Sequence, residues 1–114
     1  MLLRIMAVFI GSGLGGVCRW GVSQACSTSW PLGTLVVNVA GCFLLGLLSK
    51  MAPGSETTRL LLMTGFCGGF TTFSTFMNEN LAMLRTGQLL TLALYAGGSL
   101  AVGLLAAAGG YKCL

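Results

Sequence analysis

The chain predicts an all-α membrane protein with four transmembrane helices, a break in the third, and a homodimer as the working unit. Three observations point there. Of 114 residues, 55% are hydrophobic and only 7% charged, against roughly 25% charged in soluble domains. Four apolar segments reach the length of about 20 residues that a spanning helix needs. The third of these carries glycine, hydroxyls and phenylalanine through its middle, where lipid offers polar groups no partner.

The first span is expected from about Ile5 to Ser23. Gly11 and Gly15 form a small-xxx-small face along it that lets another helix approach closely. Gly11-x-Gly13-x-x-Gly16 has the spacing of a dinucleotide fingerprint, but it lies inside a spanning helix rather than between a strand and a helix. Arg4 before an apolar run resembles a signal sequence; no cleavage site precedes a soluble domain, and three more spans follow. The second span runs from about Leu32 to Ser49, with Pro31 suited to its first turn. The third is expected over Leu60 to Leu84 and the fourth over Leu89 to Ala108. Lys50 to Arg59 is the one clearly polar loop, and Arg85-Thr-Gly-Gln88 a tight turn. The whole is a single transmembrane domain over residues 1–114, and loops this short hold no extramembrane unit.

The net charge of +4 comes from six scattered cations against Glu56 and Glu79. They make no basic stripe, so no nucleic-acid partner is expected. The chain has no His and five cysteines without Cys-x-x-Cys spacing. These are expected to be small buried apolar residues rather than zinc ligands. With four spans, Arg4, Lys50, Arg59 and Lys112 share one side, and Arg19 and Arg85 the other. The positive-inside rule favours cytoplasmic termini, but by only two charges, a bias compatible with insertion in both orientations. Four helices enclose a polar path poorly, which is why a homodimer is expected.

The polar residues define the candidate path. Thr34 and Asn38 are four apart and share a helix face, as do Tyr95 and Ser99, whose face Gly103 continues. In the third span Gly68-Gly69 and Thr71-Thr72 are poor helix material, and a break there frees backbone groups that line a cavity or coordinate an ion. Phe73 and Phe76, three apart, can project the same way, amid Thr72, Ser74 and Thr75. Hydroxyl and amide donors with electropositive ring edges suit a small anion. Arg19 can draw anions to a mouth or snorkel to the interface. Glu79 can pair with Arg19 or Arg85, or mark a vestibule.

The stretch GFCGGFTTFSTF, with Pro31-Leu-Gly-Thr34-Leu-Val-Val-Asn38 and Gly15-Gly-Val-Cys-Arg19-Trp20, closely resembles the Fluc/CrcB family of small fluoride channels. The resemblance covers the chain and implies a dual-topology homodimer of antiparallel subunits with two fluoride pores. It implies that Phe73 and Phe76 are the paired pore phenylalanines, and that Asn38 reaches toward the anion. Ser99 would join Thr72 and Thr75 in a polar track, with Tyr95 near the ion path. Arg19 and Glu79 would stand near the pore entrances, and Gly68 and Thr71 carbonyls would hold a structural sodium ion at the dimer interface. Gly103 stands where family members often carry another hydroxyl, so either the polar track is shorter at that end or water substitutes there. The implied function is passive fluoride export across a bacterial inner membrane, conferring fluoride resistance without enzymatic chemistry. A proton-coupled multidrug exporter needs a membrane-embedded carboxylate; the first helix has none, and Glu79, the one candidate within any span, sits late in the third. A purely structural subunit leaves the Phe and hydroxyl cluster without a purpose.

Overall fold

The computed structural model describes residues 1–26, 31–51 and 54–113. Four helices cross its length: Leu2–Ala25, Leu32–Met51, Glu56–Arg85 and Leu89–Cys113. Its long axis of 47 Å matches a bilayer with its headgroup regions, about 40–45 Å. The helices outrun the expected spans at most ends. Arg4, Lys50 and Arg59 lie inside helices rather than beyond them, because a long cationic side chain carries its charge to the interface while its backbone stays helical. The third helix starts within the polar stretch expected as a loop. There Ser55 Oγ accepts the Thr58 N–H at 3.3 Å, and Glu56 in the first turn complements the helix dipole. Arg4 pairs with Glu56 at 3.2 Å, both half exposed, so the pair contributes little.

The helices pair out of sequence order, first with third and second with fourth. Glycine explains why. A Cβ on Gly15 would collide with the Phe66 carbonyl oxygen and stand 2.8 Å from the Phe70 nitrogen, and Gly69 meets the Ser12 backbone in return. Gly46 and Gly110 make the same backbone-to-backbone approach between the second and fourth helices. In lipid, where apolar side chains gain nothing by hiding from water, such close packing is what holds helices together. The Gly11 and Gly15 face is therefore the seam of the fold.

The third span changes partners midway. Residues 56–70 lie against the first helix, while Ser74–Arg85 lies against the fourth. Within the first half, Leu60–Cys67 is wound as a wider π-helix, a form often found at functional sites. Residues 71–73 leave the helix, with Thr71 extended at φ −88°, ψ 159°. The break thus falls just after Gly68-Gly69, which remain helical. The turn after the third span closes through Gly87 at φ +75°, with the Gln88 N–H bonded to Met83 C=O at 2.9 Å. Only a residue without a Cβ takes that conformation at no cost.

Candidate functional site

The unwound residues are held by one side chain. Asn38, on the second helix, accepts the Thr72 N–H at 2.8 Å through Oδ1 and donates Nδ2 to the Thr72 carbonyl at 3.2 Å. One amide therefore takes over both backbone bonds that Thr72 lost. Thr72 also reaches into the next helix, Ser74–Arg85, its Oγ1 accepting the Thr75 N–H of that helix's first turn at 3.2 Å. These two diversions have a consequence for the carbonyls. In an unbroken helix the Thr72 N–H would serve Gly68 C=O, and the Thr75 N–H would serve Thr71 C=O. Both donors point elsewhere, so these two oxygens are released from the helical ladder. Thr71 keeps its own N–H and hydroxyl on Cys67 C=O, at 3.0 and 2.9 Å.

A groove of about 460 Å³ runs along the break, between the second, third and fourth helices. Asn38, Thr72, Phe73, Phe76 and Ser99 share its wall, and Gly103 continues it. The Phe73 and Phe76 rings are 6.3 Å apart and tilted by 49°, but their surroundings differ. Phe76 is 7% exposed and packs on Tyr95 at 5.0 Å, whereas Phe73 is 73% exposed. Ser99 Oγ is buried with no hydrogen-bond partner among the described residues. Serine in a spanning helix commonly bonds its own backbone; this one leaves its capacity free beside the groove. Thr75 lies half-buried in the turn below the break, engaged through its backbone.

Glu79 lies one helical turn beyond Phe76, but it meets neither Arg19 nor Arg85. Its two oxygens accept hydroxyls from two other helices, Thr34 Oγ1 at 2.7 Å and Tyr95 OH at 2.7 Å. Thr34 and Tyr95 are both buried, so a carboxylate inside the membrane is matched by two short donors. Arg19 turns its Nε to Gly69 C=O at 3.2 Å, beside the break. The reason is register: Glu79 lies on the half of the third span that faces the fourth helix, Arg19 on the helix paired with the other half. Tyr95→Phe removes one donor from Glu79. It is expected to lower stability by about 1–2 kcal/mol, since bonds to charged groups are worth more than neutral ones but membrane reference states discount them. Thermal unfolding in detergent of Tyr95→Phe, Thr34→Val and the double variant checks it. Additive losses would mean the two hydroxyls do not act on one group.

Cys42 and Leu104 line the groove too, and sequence reasoning assigned them no part in it. Cys42 lies one turn beyond Asn38, so face periodicity carried a signal for it; Leu104, next to Gly103 in sequence, lies off the Ser99–Gly103 face and carried none.

A model of the family described as CrcB-like protein, Camphor Resistance (CrcB), matches residues 6–111. Fluoride-specific ion channel FluC 1 of Yersinia pseudotuberculosis is 43% identical, over 93% of this chain and 92% of that protein. Fluoride-specific ion channel FluC of Nitratidesulfovibrio vulgaris is 43% identical over 89% and 88%. The protein of the same name from Chlorobium chlorochromatii is 45% identical over 90% and 85%.

Proposed function

The chain belongs to the CrcB-like family, and from that premise we propose that it is a fluoride-selective channel, exporting the anion passively and so conferring fluoride resistance. It is a multi-pass protein of the bacterial inner membrane, with four helices of spanning length. The observation that carries the function is the groove: Asn38, Thr72, Phe73, Phe76 and the free Ser99 hydroxyl beside an unwound stretch of helix.

Fluoride is strongly hydrated, so a path must replace its water with donors. The Ser99 and Thr72 hydroxyls and electropositive ring edges supply them. Asn38 fixes the backbone that carries the Thr72 hydroxyl and Phe73. Glu79, held by Thr34 and Tyr95, and Arg19, held at Gly69, set the charge on either side of the break. Export then follows the membrane potential, about 2.3 kcal/mol per charge per 100 mV.

The working unit is an antiparallel homodimer. A groove that holds an unpartnered Ser99 hydroxyl and an unwound stretch of backbone is poorly matched to lipid, and a second copy laid against it supplies a protein wall. The near balance of cations at the two ends supports insertion both ways. At that interface the Gly68 and Thr71 carbonyls, released from the helical ladder, would hold a sodium ion. Neutral carbonyl oxygens are hard donors that suit a hard monovalent cation. When bound, the ion supplies fixed positive charge and ties the two breaks together.

The test is fluoride efflux from liposomes loaded with fluoride, followed by electrode after valinomycin, with chloride measured in parallel. Fast fluoride loss without chloride loss is expected. Phe76→Ile is expected to leave the dimer intact and slow fluoride efflux at least about tenfold, a barrier change near 1.4 kcal/mol. A dissociated dimer with unchanged flux per folded protein would assign Phe76 to packing instead.

A further inference from the structure

Next to the groove, and sharing Asn38, Cys42 and Thr71 with it, a second cavity brings in side chains for which the anion pathway has no use. It encloses about 240 Å³ between the second and third helices, and Cys42, Met63 and Cys67 lie on its wall. Three of its side chains therefore carry sulfur. Cys67 is buried at 4% exposure, and the two cysteines line the same cavity from two different helices. Both are free. Cys42 also lines the groove, so the sulfur cavity and the anion groove share a wall.

The chemistry of this donor set is selective. Zinc takes four ligands, drawn from thiolate, imidazole and carboxylate. Among the described residues no cluster of three such groups occurs. Two thiols with a thioether suit soft cations, which prefer sulfur and accept low coordination numbers. Met63 and Cys67 are four apart on the π-wound stretch, and Cys42 faces them from the second helix.

We propose that Cys42 and Cys67, assisted by the Met63 thioether, form a binding site for a soft thiophilic d10 cation of the Hg(II), Ag(I) or Cu(I) type, and that its occupation arrests flow through the adjoining groove. With mercury, each thiol loses its proton to solvent and its S–H electron pair becomes an S–Hg bond. One mercuric chloride and two thiols thus give one mercury dithiolate, two protons and two chloride ions, the two Hg–Cl bonds breaking as the Hg–S bonds form, with no change of oxidation state. Neutral mercuric chloride partitions into lipid and so reaches thiols within the membrane. The site places the cation beside Gly68 and Thr71, where it pulls the second and third helices together across the break. The arrest of flow rests on the channel function proposed above; binding itself does not.

Two readouts keep these apart. The first is intact mass of the purified Cys18→Ala, Cys26→Ala, Cys113→Ala variant titrated with mercuric chloride. One mercury per chain replacing two protons is expected, with both thiols lost to a thiol reagent. Two mercury atoms per chain, each on a single sulfur, or none, would overturn the site. The second is fluoride efflux, each variant compared with its own mercury-free rate. The triple variant is expected to slow at least tenfold and to recover with excess dithiothreitol. Adding Cys67→Ala, or Cys67→Ser if the alanine form does not fold, is expected to abolish that sensitivity. Equal inhibition without Cys67 overturns the proposal. Absence of efflux before mercury is added counts against the channel function alone, and the mass stoichiometry then decides the site.

Discussion

Asn38→Ala is expected to abolish fluoride efflux and to destabilise the fold by about 2–6 kcal/mol, because the Thr72 N–H and C=O lose their partner together. Each orphaned group costs about 1–3 kcal/mol in a site water does not freely enter. Neither can rejoin the helix without rewinding residues 71–73 and moving Phe73. Asn38→Asp separates the two parts of the effect. It retains an acceptor for the Thr72 N–H, at 2.8 Å in the parent, but sets an oxygen against the Thr72 carbonyl and adds negative charge beside an anion path. Efflux is expected to fall as far as in the alanine variant, with a smaller loss of stability. Efflux in liposomes and thermal unfolding in detergent measure the two quantities. An Asn38→Ala protein with near-parental flux would show that the break holds without its clasp.

Gly15→Ala is expected to cost about 3 kcal/mol or more for a single methyl group. The added carbon meets the Phe66 carbonyl oxygen and the Phe70 nitrogen, and backbone cannot turn aside as a side chain can. The first and third helices must separate, at the upper end of what overpacking costs. Gly13→Ala is the matched control. It lies on the same helix with nothing within 4 Å of the new carbon, and alanine is the better helix former by about 1 kcal/mol. Gly13→Ala should therefore leave the unfolding temperature unchanged or raised. Similar losses at both positions would mean that helix flexibility, not close approach, explains the glycines.

Hydropathy alone carried the four spans, because every apolar run has to match the same slab of lipid. The Gly11 and Gly15 seam was equally legible, since small residues four apart leave one reading in a membrane. The break was visible in composition over Gly68-Gly69 and Thr71-Thr72, and it falls at the second of these pairs. Gly68 and Gly69 are weak helix formers, yet the chain opens at 71–73, where Asn38 is placed to receive the backbone. Propensity names residues that tolerate a break; the partner across the gap fixes where it falls. The pairing of Glu79 was open for a related reason. Charge suggested Arg19 or Arg85, whereas the switch of helix partner at the break turns Glu79 toward Thr34 and Tyr95. The π-wound stretch left no mark in the sequence, as it differs from α-helix only in which carbonyl each N–H reaches.

The out-of-order pairing of helices also governs biogenesis. During synthesis the first helix leaves the ribosome well before its glycine-matched partner, and the second waits for the fourth. Neither the first helical hairpin nor the last contains a complete backbone seam, so a half-length chain has no self-sufficient folded form. The nascent protein has to hold two unpaired helices near the insertion machinery until the third arrives. Its assembly therefore completes in one late step, when the final helix closes on the second and on Phe76 together.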